Sequence, residues 1–139
     1  PNGQRFAFSS NRDGTSDIWA LRFGRFGGLA QLTSNRRSDT SPDWGPGGKI
    51  AFSWGPIVLV VDTNSGNVVG MTPEISVGNT PSDPSWSPDG SGIAYRRCYQ
   101  AECLSSDIFI NLGVRNNVRL TSHRSDVRSP DWGPLPAEP

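Results

Sequence analysis

Two short stretches of the chain carry the same mixture of charge: Arg36, Arg37 and Asp39 early on, and Arg124, Asp126 and Arg128 near the end. Guanidinium groups with interspersed carboxylates suit anion recognition, because each guanidinium presents paired donors to an acid while neighbouring acids fix its orientation. Held around a concave mouth, such a set fits an anionic peptide, a sugar acid or a partner protein. The same side chains can instead serve as ion pairs between elements and as loop caps. Catalytic chemistry is poorly provided for. His123 is the single histidine, which removes metal and acid–base schemes that need two imidazoles. The sequence has no Gly-x-Ser-x-Gly nucleophile elbow, no P-loop and no dinucleotide fingerprint. Asp39 and Asp126 could in principle act as a carboxylate pair, but Asp abounds in turns for conformational reasons alone. Asn11, Asp13, Gly14 and Asp17 have part of the spacing of a calcium loop, without its closing Glu and without flanking helices. The reading is a non-catalytic binding module that uses neither metal nor cofactor.

Cys98 and Cys103 have four residues between them. A zinc site would need two further ligands, and His123 alone cannot complete it. A disulfide closing a hairpin is compatible with the approach of facing residues on adjacent strands, and would imply an oxidising compartment. Two separate thiols are the alternative.

The elements that must position these residues recur. Ser41-Pro42-Asp43-Trp44-Gly45-Pro46 returns as Asp83-Pro84-Ser85-Trp86-Ser87-Pro88 and as Ser129-Pro130-Asp131-Trp132-Gly133-Pro134. The first two copies run through a Gly-containing turn into Ile50-Ala51-Phe52 and Ile93-Ala94-Tyr95, and the chain opens on the same second half with Phe6-Ala7-Phe8. The prolines divide residues 1–134 into units 1–45, 46–87 and 88–133, followed by a tail of residues 135–139. A period in the forties built from short apolar runs predicts propeller blades and not helical repeats. Each unit offers three strands after its turn (B, C and D), and a fourth (A) runs through the Trp motif. Recurrence of Trp44, Trp86 and Trp132 at one blade position marks them as packing residues. The fold class is therefore all-β, a propeller of four-stranded antiparallel blades.

Composition agrees. The 139 residues include 16 Gly, 12 Pro and only 34% hydrophobic residues, which fits many short strands. Net charge is zero, so no basic excess points to nucleic acid. No run approaches the roughly 18 apolar residues of a membrane span. The chain begins at Pro1 without methionine or signal peptide, which suggests a processed or trimmed product.

Trp86-Ser87-Pro88-Asp89-Gly90 followed by Ile93-Ala94-Tyr95, then Ser10-Asn11-Arg12-Asp13-Gly14, Asp17-Ile18-Trp19 and Leu32-Thr33 or Leu120-Thr121, resembles the TolB-type propeller repeat. Unit two departs from it, because its first loop is cut to Trp54-Gly55-Pro56. The resemblance implies a periplasmic or extracellular location, in line with a disulfide. It also implies relatives of two kinds, binding proteins and gating propellers of peptidases. An enzyme-associated half-propeller, or a hydrolase or lyase with its site at the mouth, is thus the second reading.

Antiparallel order sorts the loops. The A–B and C–D connections share one face, which receives small turns and looks bland. The B–C and D–A connections share the other, which receives Arg12, Asp13, Arg96, Arg97 and Glu102, and then Arg36, Arg37, Asp39, Glu74, Arg124, Asp126 and Arg128. Three blades do not readily close a ring. The last Trp strand, residues 129–133, is an orphan A strand, and residues 5–9 lack an inner neighbour in their own unit. The expected solution is a homodimer forming a six-bladed ring, favoured over a nine-bladed trimer or an arc cut from a longer chain.

Overall fold

The computed structural model describes residues 3–25, 27–72, 80–100, 102–113, 116–122 and 126–133. Eleven strands lie among them: β1 (Arg5–Ser10), β2 (Asp17–Arg22), β3 (Gly28–Gln31), β4 (Asp39–Trp44), β5 (Lys49–Trp54), β6 (Ile57–Asp62), β7 (Val68–Gly70), β8 (Pro81–Trp86), β9 (Ile93–Cys98), β10 (Ser106–Asn111) and β11 (Asn117–Arg119). They form three antiparallel sheets, ordered β1-β2-β3, β4-β5-β6-β7 and β8-β9-β10-β11. Every strand pairs with its neighbour in sequence, so local turn chemistry decides the pairing. Gly55, at φ 55°, closes the tight β5–β6 hairpin in which Trp54 faces Ile57. Asp89 anchors the turn into β9 by accepting bonds from Ser87 Oγ (2.6 Å) and Ser91 N (3.0 Å), which hold its carboxyl at about 2.

The Trp strands are bulged at one repeated position. In β4 the register passes from Thr40 opposite Ser53 to Asp43 opposite Ala51, and in β8 from Ser82 opposite Arg96 to Ser85 opposite Ala94. Ser41, Asp83 and Ser129 all have φ near 50° (51°, 51° and 48°), a region that non-glycine residues avoid. Three occurrences at one repeat position mean that the fold imposes this bend, which re-aims the chain along the inner edge. Ser41 Oγ donates to Asp83 Oδ1 at 3.2 Å, tying β4 to β8.

A second device repeats at the other end of each sheet. The backbone N–H of Ile18, Val58 and Ile108 donates to Oγ1 of Thr33 (2.9 Å), Thr72 (2.8 Å) and Thr121 (3.0 Å). The outer strands β3, β7 and β11 therefore stop short of Leu32-Thr33, Met71-Thr72 and Leu120-Thr121. Leu32 N and Thr33 N both point at Ile18 O (2.8 and 3.4 Å), and Leu120 N and Thr121 N do the same at Ile108 O, so the chain leaves the ladder there.

The core lies between sheets. Ile18 of the first sheet packs with Ile50, Phe52 and Val61 of the second, flanked by Ala7, Leu32 and Trp44. Ala51, Val58 and Val60, on the opposite face of the second sheet, pack with Ile93, Tyr95 and Phe109 of the third, flanked by Met71 and Trp86. Burial on both faces explains the unbroken apolar run of β6. Each such side chain contributes about 1.5–3 kcal/mol relative to exposure. Gly45 marks the closest approach, since a Cβ there would lie 2.5 Å from the Trp86 ring.

The two outer faces lack these partners. Phe6 is 54% exposed at one end, and Leu120 is 57% exposed at the other. Residues 129–133, expected as a strand, pair with no sheet among the described residues. They nevertheless keep the positive φ at Ser129, and Trp132 Nε1 donates to Ser85 O at 2.9 Å. Glu74 and residues 134–139 lie outside the described residues.

Candidate functional site

The B–C and D–A connections meet on one face. Thr15 Oγ1 donates to Asn35 O (2.8 Å) and Ser16 Oγ to Asp39 O (3.1 Å), which joins the two loops of the first unit. Asn35 is the hub. Its Nδ2 donates to Asp39 Oδ2 (2.8 Å), and its Oδ1 accepts from Arg37 N (2.8 Å) and Trp54 Nε1 (3.0 Å). The loop is thereby held around a neutral amide without an ion pair to its own arginines, which face outward. Arg36 and Arg37 are exposed, and Arg37 stacks its guanidinium on Trp54 at 4.8 Å from the ring centroid. Neither makes an ion pair with a described residue.

Asp39, expected at the ligand surface, is fully buried (0% exposed), and its role is to position the loop. Burial pushes its carboxyl up, the neighbouring Asp17 charge adds to this, and bonds from Thr33 and Asn35 oppose it. Its Oδ1 has no hydrogen-bond partner among the described residues.

The third unit is built differently. Asp126 accepts from Arg96 Nη2 (2.7 Å), from Ser106 Oγ (3.0 Å) and from Arg128 Nε. The Arg128 bond and then those of Ser106 and Arg96 hold the Asp126 carboxyl below its ordinary value, against the effect of burial. Arg96 also reaches Asp83 Oδ2 at 3.9 Å, so one guanidinium ties the bulge of β8 to the loop before residue 129. Beneath it, Asp107 is fully buried and accepts from Tyr99 Oη (2.7 Å), Thr121 Oγ1 (2.8 Å) and Arg119. Burial alone would raise its carboxyl, and those three donors more than offset that and lower it. Cys98 and Cys103 are joined in a disulfide, with Cα atoms 5.0 Å apart, and it clamps the adjoining loop. Arg124 and His123 lie outside the described residues.

The structure thus brings Arg36 with Arg37, and Asp126 with Arg128, onto the same face while withdrawing Asp39. Sequence reasoning missed Asp83 as a mouth residue. The signal was available in the Ser/Asp-Pro step of each Trp motif, which repeats at the bulge. It also missed the clefts on the opposite face. A cleft of about 340 Å³ between the second and third sheets is lined by Lys49, Val60, Asp62, Val69, Met71 and Trp86. An equivalent of about 170 Å³ lies between the first and second. Among the described residues no three of His, Cys, Asp and Glu come together, and no helix is long and apolar enough to cross a membrane.

Stacked antiparallel sheets of three, four and four strands, packed face to face with their Trp strands tied along one edge, define an arc of a β-propeller. Solved structures similar to the chain include propellers. One is a protein of Agrobacterium tumefaciens assigned as TolB, with TM-score 0.70 and 21% identity over 88% of this chain and 44% of that one. Another is an oligogalacturonate lyase in complex with manganese, with TM-score 0.69 and 12% identity over 89% of this chain and 38% of that one. A third is the oligogalacturonate lyase of Vibrio parahaemolyticus, with TM-score 0.61 and 12% identity over 78% and 34% of the two chains. In sequence, the chain is 29% identical over 115 residues to an uncharacterized protein of Agrobacterium fabrum, covering 73% of this chain and 39% of that protein. The chain therefore spans less than half the length of each of these relatives. No protein-family model matches it.

Proposed function

We propose that the chain is half of a six-bladed TolB-type propeller, acting outside the cytoplasm as a binding module whose B–C/D–A face takes an acidic peptide, protein or sugar acid. The observation that carries this reading is the outward pair Arg36 and Arg37, exposed on a face where Arg96, Asp126 and Arg128 are bound to one another. The disulfide fits an exported protein.

Ring closure is part of the reading, and a second copy supplies the missing three blades. Gly133 stands where Gly45 stands two repeats earlier, yet among the described residues nothing lies within 4 Å of a Cβ built on it. In the closed ring Trp44 of the second copy takes that seat, as Trp86 takes the seat on Gly45, while residues 129–133 pair with β1. The exposed Phe6 face then meets the exposed Leu120 face, the same positions that pack at the internal joints.

Fluorescence anisotropy with a labelled glutamate octapeptide and with oligogalacturonate tests the binding role. Saturable binding that the Arg36→Gln/Arg37→Gln variant loses by about tenfold, without loss of folding, is expected. Equal binding of a glutamine octapeptide, or an unaffected variant, would contradict it. Two lyases among the similar structures motivate the second reading, an enzyme-associated propeller. Rising ultraviolet absorbance from an unsaturated product, on incubation with oligogalacturonate and manganese, would favour that reading instead.

A further inference from the structure

The two inter-sheet clefts are built from repeat-equivalent residues, and their lips differ in charge. In the larger, Lys49 faces Asp62 directly across the β5–β6 ladder, and the two charges attract. In the smaller, the same two positions hold Arg5 and Arg22, also directly opposite one another. Like charges facing across a ladder are unfavourable, and no acid is among the residues lining this cleft. Its walls are Ala20, Ala30, Leu32 and Trp44, and the Arg5 guanidinium lies over the Trp44 ring at 5.9 Å. An apolar slot with two guanidiniums at its lip calls for an anion joined to an apolar group. At about 170 Å³ there is room for about one side chain.

We propose that the cleft between the first and second sheets binds the C-terminal carboxylate of a peptide ending in an apolar residue, with Arg5 and Arg22 holding the carboxylate and Trp44 and Leu32 receiving the side chain. This site lies on the face opposite the charged mouth and does not depend on the function proposed for that mouth. Commitment to a carboxylate follows from paired guanidiniums, which match its two oxygens, and commitment to an apolar neighbour follows from the walls.

Isothermal titration with acetyl-Gly-Gly-Leu and with its C-terminal amide tests this. Saturable binding of the acid, at least about tenfold tighter than the amide, is expected, with a similar loss in Arg5→Gln and in Arg22→Gln. Lys49→Gln, in the equivalent cleft, should leave binding unchanged. Thermal melts establish that the variants are folded. No saturable heat with the acid, equal binding of acid and amide, or binding lost only in Lys49→Gln would overturn the proposal.

Discussion

The loops before β4 and before residue 129 occupy the same place in their units and carry similar charges, yet they are held in opposite ways. The first is organised by Asn35, a neutral hub, so Arg36 and Arg37 stay exposed and Asp39 is buried without a cation. The second is organised by Asp126, which takes both Arg96 and Arg128. The difference teaches that charge composition alone does not mark a binding surface. What matters is whether the loop needs its own charges to fold. A loop closed by amide and indole donors leaves its guanidiniums available, whereas a loop closed by ion pairs does not.

The largest effect expected from this contrast is at the base of the third unit. Asp107→Ala removes the acceptor of Tyr99, Thr121 and Arg119 in a fully buried place, and should cost about 3 kcal/mol in urea unfolding. Asn35→Ala, which breaks one amide–carboxylate bond to Asp39 and two neutral bonds but no ion pair, should cost about half as much. An equal or larger loss at Asn35 would break the contrast. Next comes Arg96→Met, which frees Asp126 and Asp83 together, and should cost about 2 kcal/mol.

The titration behaviour of the acids sharpens the same comparison. The folded-state value of Asp39 is raised, so its contribution is fully present below the unfolded carboxylate value of about 3.9 and is lost as pH rises through the folded value. Asp107 and Asp126 are lowered, so their contributions are present above about 3.9 and are lost as pH falls through their folded values. Asp39→Asn should therefore raise the melting temperature near neutral pH, with the gain fading as pH falls toward about 4. Asp107→Asn should do the reverse, with its loss shrinking in acid. A gain at Asp39 that is independent of pH would contradict the burial argument. The smallest effect belongs to Arg36→Gln/Arg37→Gln, which should shift stability by no more than about 0.5 kcal/mol while weakening acidic-peptide binding. A shift of several degrees would make these arginines structural ties.

Most of the fold was legible because its signals are local. The Trp motifs, the Gly turns and the apolar runs each specify a hairpin within a few residues. The ends of the D strands were not legible, since the bend at Leu32-Thr33 depends on two N–H groups sharing Ile18 O. Residues 129–133 read as a strand because their sequence matches β4, but a strand needs a partner. The candidate site was legible only as a face. Loop order placed the charges there, but nothing in Asp39 or Asp126 announces which one is buried and which one takes two arginines. Those outcomes depend on Asn35, Arg96 and Trp54 arriving from other elements. The Arg5 and Arg22 pairing was equally hidden, because it appears only once the β1–β2 register is known.

The measurement that bears most directly on the account is the mass of the chain in solution by light scattering, for the native chain and for Gly133→Leu. No described residue crowds Gly133, so the leucine should leave the fold of a single chain intact while blocking the seat for Trp44 of a second copy. The account predicts twice the 15.0 kDa chain mass for the native protein and 15.0 kDa for the variant, with matching circular dichroism. A well-folded native chain at 15.0 kDa, or a variant that still forms the dimer, would contradict it.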